Sequence, residues 1–429
     1  MAKNIFRYNF AFENGDEFLK TMQDFNVIII GGGAAGLMAA VRAGMCGQKV
    51  LVLEKNQGLG EKLLLAGRGR CNFTNAEEDL NLFLSKYGGN GKFLEHAFKK
   101  FSPADTVKFF ESEGVKTITE RGKRVFPVEG GGQRILNILL KLCKKYGVRI
   151  YRETPVQALK VRNSKVECVI TERDELKADK YIIATGGRSF PETGSTGDGY
   201  KFAAQAGHKI IKTYPALVPV RTRETWVKTA KGCNLRNVRI NVILDGEKVD
   251  DRFGEMEFTN FGLSGPIIMD LSAKIPDWDG DLIFELDLKP SLTNEILINR
   301  IKREIKNYSG QRRFSGLMRL LVPGKLLPLI LELSDIPNDK PIEYISDEEI
   351  LATVNLLKHI QFHVNGLWSY RNALVTRGGV DLNEIDPETM RSKLCENLYF
   401  AGETVDLNGP SGGFNLQMCW STGYLAGSV

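Results

Sequence analysis

Apolar and polar positions along this chain change period several times, and each change predicts an element. Residues 27–30 (VIII) are apolar and β-branched without a break, as in a parallel strand buried on both faces. Residues 37–43 then form a small-residue helix with Leu37, Ala40 and Val41 on one face, Gly44 and Gly47 bracket its exit, and 50–53 (VLVL) is a second buried strand. Helical spacing returns over 93–113 (Phe93, Ala97, Phe98, Phe101, Val107, Phe109, Phe110) and, more strongly, over 133–146. Lys141, Lys144 and Lys145 fall in the last turns of that second helix, where the helix dipole favours them, and Gly147 ends it. Residues 121–127 make a basic turn or hairpin, a strand begins at 148–151, and a polar hairpin runs from 154 to about 180. A further buried strand, 181–187 (YIIATGG), ends in a glycine turn, with a helix at 201–206.

From Tyr214 the pattern becomes short alternating strands (218–220, 238–244, 282–286) with turns such as Asp245-Gly246, which predicts a small β-barrel or sandwich. Residues 296–305, 315–321, 325–333 and 347–357 read as helices split by proline-containing loops. Ile360, Phe362 and Val364 alternate as in a strand, 398–403 (LYFAGE) is another strand, and a glycine turn at 408–413 opens a final helix. The predicted fold is α/β, a Rossmann-like nucleotide domain interrupted by an inserted barrel and a helical subdomain. Its expected bounds are an N-terminal extension 1–24 (a leader or edge strand), a discontinuous nucleotide domain 25–214 plus 358–429, a barrel 215–290 and helices 291–357.

The first strand carries the chemistry. Gly31, Gly33 and Gly36 follow it in G-x-G-x-x-G spacing, and Glu54 ends the next strand. The first glycine makes a tight turn, the second admits a pyrophosphate to the backbone, and the third allows close helix packing. The helix N-terminus offers unpaired amides and positive dipole to the phosphates. Glu54 stands where an acid accepts the adenosine ribose hydroxyls and would repel a 2′-phosphate, so FAD or NAD is expected rather than NADP. An ordinary βαβ unit with glycine-rich turns is the alternative.

Residues 58–75 (GLGEKLLLAGRGRCNFTN) are glycine-rich and basic. Lys62, Arg68 and Arg70 would face a ligand there, with Asn72, Thr74 and Asn75 adding neutral hydrogen-bonding groups; a solvated basic loop is the alternative. Cys71 has no nearby histidine to make it a nucleophile. The turn at 185–187 and the run 193–200 (TGSTGDGY), with Asp198 in the N-cap region of its helix, would bring backbone to the dinucleotide again. At the C-terminal helix the amides of Gly412, Gly413 and Phe414 would carry partial positive charge. Beneath a flavin they would stabilise the negative charge of its reduced form, with Asn415 adding a side-chain hydrogen bond.

Composition narrows the class. Basic residues number 58 and acidic ones 52, a net charge of +6 that is small for 429 residues and does not indicate a nucleic-acid binder. Seven scattered cysteines without a C-x-x-C exclude a zinc ribbon or dithiol centre and fit a reducing cytosol. His359 and His363 are four apart, but no carboxylate or cysteine cluster nearby completes a metal site, so no metal is expected. Residues 1–24 lack the apolar core of a signal peptide, and no run reaches the roughly 18 apolar residues of a membrane span, so a cytoplasmic protein is expected.

Together, the N-terminal fingerprint, ATGG at 184–187 and AGE at 401–403 followed by GGFN look like an FAD protein of the two-dinucleotide superfamily. From about residue 25 the chain also resembles the YhiN/BaiN-like (aminoacetone oxidase-like) flavoprotein family. The matching stretches are GGGAAGLMAA, GRGRCNFTN, RVFP, SFPETGSTGDGY, FTNFGLSGP, VTRGGV and LYFAGETVDLNGPSGGFNLQMCWSTG. The resemblance implies a non-covalent FAD held by Gly31, Gly33, Ala34, Ala35 and Gly36 at the pyrophosphate, and by Glu54 and Lys55 at the ribose. It implies Lys62, Gly69, Arg70, Cys71, Asn72 and Thr74 along the ribityl chain and flavin, and Val156 at the adenine. Thr185, Gly186, Gly187 and Asp198 would lie alongside, and Gly402, Glu403, Gly412, Gly413, Phe414 and Asn415 would complete the site. Two positions depart from the family: Asn260 stands where histidine is frequent, and Arg68 where a smaller residue is usual.

The expected function is an FAD-dependent oxidoreductase passing hydride between flavin N5 and a small organic substrate near Arg70 and Asn260, with NAD(P)H as a transient donor since no second G-x-G-x-x-G is present. The family is associated with amine oxidation and with enone reduction, so direction stays open. The alternatives are an amine oxidase using O2, an NAD-only dehydrogenase, and a flavin-carrying RNA-associated protein using Lys62, Arg68, Arg70, Arg121, Lys123 and Arg124; a small-molecule partner is expected over nucleic acid or membrane.

Overall fold

The structure is a computed structural model and describes residues 25–308, 310 and 312–429; the expectations for residues 1–24 lie outside them. Its centre is a five-stranded parallel sheet in the order Leu398–Phe400, Ala178–Ile183, Phe25–Ile30, Val50–Leu53, Arg149–Tyr151. Ile28 sits between Tyr181 and Leu51 on the neighbouring strands. Val27, Ile28 and Ile29 are fully buried, which is why this strand is apolar at successive positions and does not alternate.

The helix Ala34–Met45 packs against that sheet and beside the C-terminal helix Phe414–Ala426. Their contact is backbone against backbone. A Cβ on Gly423 would stand 2.5 Å from the Ala35 carbonyl oxygen, and one on Gly427 would stand 2.4 Å from that of Ala39. The expected helix over 93–113 is instead broken into a 3-10 segment Gly88–Leu94 and helices Glu95–Lys100 and Pro103–Ser112. Ser102 starts the last of these with a capping box: its hydroxyl accepts the Asp105 amide (3.1 Å), and its amide donates to the Asp105 carboxylate (3.0 Å). Proline at the next position ends the preceding helix.

The chain leaves the nucleotide domain through Ile210–Ala216 and returns through Val375–Val380, which pair antiparallel. Between them lies a closed six-stranded barrel in the order Val220–Thr222, Gly262–Ser264, Glu247–Phe258, Asn234–Leu244, Leu282–Asp287, Ile360–Leu367. Helices Asn294–Tyr308, Phe314–Leu321, Leu327–Leu333 and Asp347–Lys358 share one apolar core with it.

This corrects the expected partition, which returned residues from 358 onward to the nucleotide domain. Ile360–Leu367 pairs with Leu282–Asp287 and Val220–Thr222 and closes the barrel. Ile360 and Phe362 point into the barrel core while Gln361 is exposed. Alternation identified a strand, but a period of two carries no information about which sheet takes it. Among the described residues no helix is long and apolar enough to cross a membrane.

The contact between the two helices predicts that Gly423→Ala destabilises the protein by about 1–3 kcal/mol, because the added methyl meets backbone that has no rotamer to give. That outweighs the roughly 1 kcal/mol that alanine gains in helix propensity over glycine. A urea melt of the variant checks it.

Candidate functional site

A cleft of about 2280 Å³ opens at the carboxyl ends of the parallel strands, the edge where open α/β sheets bind ligands, and runs on to the barrel wall. At its head the three fingerprint glycines do different work. Gly31 has φ 108° and its amide donates to Leu53 O (2.8 Å); a Cβ there would lie 2.5 Å from Ala184 O. A Cβ on Gly36 would lie 1.9 Å from Gly31 O, so this glycine lets the helix close onto its own turn. Gly33 is extended (φ −83°, ψ −170°), and a Cβ on it would meet nothing within 4 Å. The empty direction is the cleft. The first i→i−4 bond of the helix runs from Leu37 N to Gly33 O (2.9 Å), so the amides of Gly33, Ala34 and Ala35 precede it.

Glu54 is held from both sides: one carboxylate oxygen accepts the Gly32 amide and the other accepts the Asn56 amide, each at 2.8 Å. Beyond it a side pocket is lined by Glu54, Lys55, Thr154, Val156, Thr185 and Asp198. Lys55 and Asp198 are partners (2.6 Å), and Lys55 also reaches the Thr196 hydroxyl (2.5 Å). Thr185 and Gly186 line the cleft. Gly187 does not; a Cβ there would be 2.4 Å from the Thr376 hydroxyl, so its role is packing.

The basic loop folds back through left-handed residues, Gly67 (φ 58°), Arg68 (φ 57°) and Cys71 (φ 61°). Lys62 reaches across to Glu403 and to the Ser189 hydroxyl. The other Glu403 oxygen accepts the Thr376 amide (2.5 Å) and the Ser189 hydroxyl (3.3 Å), so this buried carboxylate is fully compensated. Arg70 pairs with Glu120 and lies over the Phe126 ring (4.3 Å). Asn72 lines the cleft and donates to Thr74 O (2.9 Å) and Val125 O (3.0 Å).

At the other end, Gly413 (φ 99°) caps the C-terminal helix, and a Cβ on it would lie 2.2 Å from Thr74 O. The first bond of that helix, Gln417 N to Gly413 O (3.1 Å), leaves the amides of Gly413, Phe414 and Asn415 ahead of it at the cleft. Asn75, from the basic loop, donates to Gly412 O (2.9 Å) and fixes the approach.

Several expected contacts are corrected. Asn260 is exposed in the turn beyond the last ladder pair, Phe258 with Leu263, and does not line the cleft. Its neighbour Phe261 stacks on Trp368 (3.5 Å). The barrel wall presents Arg252, Met256, Glu257, Ser264, Met269 and Asp270 instead. Cys71 is buried in the core, and burial pushes its thiol up to about 12, so it is neither a thiolate nor a wall residue. Thr74 spends its hydroxyl on Gln417 Oε1 (2.6 Å) inside the core. Gly69 and Gly402 do not line the cleft either; a Cβ on Gly402 would press on the Ala35 methyl at 2.7 Å. Asn415 accepts the Gly409 amide (2.9 Å) and donates to Gly409 O (2.8 Å) and Pro410 O (3.1 Å), which commits its carboxamide to the preceding loop. His359 and His363 face separate acids, Glu285 (3.2 Å) and Glu224 (2.7 Å).

Residues that the sequence did not single out complete the site: Ser189 and Thr376 beneath Glu403, Glu120 on Arg70, and Asp270 on the barrel. None carries a local signal, because each is defined by a partner 27 to 214 positions away in the sequence or by a wall of the insertion. The arrangement fits an FAD: a backbone floor that only a side chain on Gly33 would fill, two helix N-termini for its anionic parts, and an anchored acid for its ribose.

Residues 25–429 match a family model described as HI0933-like protein Rossmann domain. The chain is 30% identical to the 3-dehydro-bile acid delta(4,6)-reductase of Clostridium scindens, over 93% of this chain and 97% of that one. It is 33% identical to the ribosomal RNA dihydrouridine synthase of Haemophilus influenzae, over 92% and 96%. Among solved structures it is similar in fold to 3-ketosteroid delta1-dehydrogenase from Sterolibacterium denitrificans (TM-score 0.52, 14% identity, 94% of this chain and 99% of that one).

The contrast between glycines predicts that Gly33→Leu changes stability by less than about 0.5 kcal/mol, as at an open surface, yet purifies with little or no flavin. Gly36→Ala should lose stability whether or not flavin is present. Thermal melts and the flavin-to-protein absorbance ratio separate the two. Lys62→Met leaves Glu403 without its cation and should cost about 3–5 kcal/mol, less whatever water reaches the part-exposed lysine, while Lys62→Met with Glu403→Gln recovers much of it.

Proposed function

This chain belongs to the HI0933-like family of Rossmann-type FAD-binding proteins, and on that footing we propose that it is an FAD-dependent reductase of a carbon–carbon double bond conjugated to a carbonyl. The observation that carries the proposal is the continuity of the cleft. It runs from the Glu54 pocket past Gly33 to the N-terminus of the C-terminal helix, then opens against the barrel wall. Its volume of about 2280 Å³ exceeds the roughly 300–1,000 Å³ of an ordinary small-molecule site, leaving room for a cofactor and a second reactant.

The two relatives named above support the reaction type. A bile-acid delta(4,6)-reductase and a dihydrouridine synthase act on unlike molecules, but each name describes two hydrogens added across a double bond conjugated to a carbonyl. When bound, FAD supplies the two-electron hydride chemistry. The protein's share is electrostatic and positional. The amides at Gly413–Asn415 would offer partial positive charge to an electron-rich ring, and the neutralised Lys62–Glu403 pair adds no net charge to the cleft lining. NADH or NADPH is proposed as a donor that visits and leaves, and seven unpaired cysteines support a reducing, cytoplasmic setting.

A second reading changes only the substrate. Arg68, Arg70, Lys86, Lys123 and Arg124 all line the cleft, with Arg70 and Arg124 sharing Glu120 and Lys123 paired to Glu77, and such cations could hold a phosphate backbone while a uridine base enters. It is favoured by the name of the 33% identical relative.

Anaerobic spectra test both. Purified protein should show an oxidised flavin spectrum that bleaches with NADH or NADPH and returns on adding either a 3-keto-4-ene steroid or unmodified ribosomal RNA. Return with RNA alone, weakened by salt, selects the second reading. A flavin that neither nicotinamide reduces, but an amine does, would overturn the reductase proposal.

A further inference from the structure

Two carboxyl groups on the barrel wall of the cleft, Glu257 and Asp270, form no ion pair among the described residues, and Asp270 is the one bonded to the segment leading into the C-terminal helix. Asp270 lies late in the helix Pro266–Ser272, lines the cleft, and accepts the amide of Ser411 at 3.1 Å. Ser411 precedes Gly412 and Gly413, so Asp270 faces the segment that delivers the C-terminal helix to the cofactor end of the cleft.

The cations around it are committed elsewhere. Lys274 stands one turn further along, where an i,i+4 pair would form, but it bonds Asp250 (2.7 Å). Arg252 turns to the same Asp250 (2.5 Å) and to Asp251 O (2.7 Å). Arg377, from the nucleotide domain, grips Asp277 with two bonds (2.8 and 2.7 Å) and Ala273 O with a third (2.8 Å). No ion pair to Asp270 forms among the described residues.

The remaining charged groups on elements packed against this helix are Glu247, Lys248, Asp251, Glu255 and Glu257 on Glu247–Phe258, Lys212 on Ile210–Ala216 and Arg221 on Val220–Thr222. Burial outweighs the Ser411 bonds and the field of Arg252, and holds the Asp270 carboxyl above the usual carboxylate range. Its place near the helix C-terminus, the negative end of the dipole, acts in the same direction.

We propose that Asp270 is the proton donor of the reduction, an assignment that rests on the reductase reading above. FAD held in the cleft would supply, in its reduced form, the hydride that the carbon β to the carbonyl takes with both its electrons. The Asp270 O–H bond breaks and its proton forms the new C–H bond at the α carbon, using the electron pair released from the π bond. The carboxylate left behind regains a proton from water, so each turnover adds two electrons and two protons to the substrate. Asp406 is also raised by burial and lines the cleft, but its carboxylate holds the Gly378 amide (3.1 Å) on the nucleotide-domain side. It serves as the control.

The test uses the full-length, FAD-loaded protein, reduced chemically without oxygen and then reoxidised by the unsaturated substrate that the wild type accepts, or by ferricyanide, which takes electrons without protonating carbon. Asp270→Asn should slow substrate-driven reoxidation by about 10²–10⁴-fold and flatten its pH profile, leaving ferricyanide reoxidation and flavin content unchanged. Asp270→Glu should recover part of the rate, and Asp406→Asn should keep it. A readout without cofactor is the melting temperature of apoprotein against pH. A carboxyl raised in the folded state contributes stability fully present below its unfolded value of about 3.9 and lost as pH rises through the folded value. Asp270→Asn should therefore gain on the wild type as pH rises above about 4. Wild-type rate and pH profile in Asp270→Asn, equal loss with ferricyanide, or transfer of the defect to Asp406→Asn would each overturn the assignment. A wild type that no conjugated substrate reoxidises overturns the reductase reading first, and that result appears before any variant is made.

Discussion

Close approach of backbone to backbone, allowed by missing Cβ atoms, is the constraint on which this structure rests. At Gly31, Gly36, Gly413 and Gly423 an added Cβ would lie 1.9 to 2.5 Å from a carbonyl oxygen of another segment or of the same turn. These contacts join the fingerprint loop, the strand ending at Ala184, the basic loop and the C-terminal helix, which are separated by up to almost four hundred positions. The floor of the cleft is therefore made of main chain, and its chemistry is that of amides at helix starts. Such a floor is rigid, because backbone has few ways to relax when packed at this distance. It also explains why the glycines differ: those that touch protein serve the fold, and Gly33, which touches none, is left to a ligand.

Charge is organised on the same floor and follows from desolvation. A buried ion is costly unless it is paired and hydrogen-bonded. Lys55 with Asp198 and Lys62 with Glu403 meet that condition inside the nucleotide domain, while Arg377 pairs across to Asp277 of the insertion at a more exposed place. The cleft is thus lined with cations and acids in numbers that suggest a strongly charged site, yet most of that charge is neutralised in pairs. What remains includes Arg68 and Lys86, which form no ion pair among the described residues, and the carboxyl groups of Glu257 and Asp270 on the barrel wall.

The insertion supplies that wall without disturbing the sheet. It enters and leaves through one antiparallel pair, Ile210–Ala216 with Val375–Val380, and keeps a separate apolar core. Arg377 and the Ser411–Asp270 bond tie the two bodies on one side of the cleft. The cleft is consequently composite, with a main-chain floor from one body and a side-chain wall from the other.

The local sequence was enough for everything that depends on periodicity and backbone freedom. The uninterrupted VIII run, the glycine spacing and the acid closing the next strand specified the nucleotide unit, and the shared motifs identified the family that the whole-chain comparison returns. The same signals marked Gly33, Glu54 and the start of the C-terminal helix as parts of the site. Tertiary structure decided what a side chain does once it has a partner. Asn415 carries the right atoms for a ligand, but its own loop consumes them. Asn260 lies in a motif-rich stretch, but the hairpin projects it outward. Ile360–Leu367 alternates as a strand, but only the barrel shows which edges it joins. Asp270 stands out because the cations near it form their ion pairs elsewhere. That depends on where Lys274, Arg252 and Arg377 turn, and their directions are set by contacts made across the whole fold.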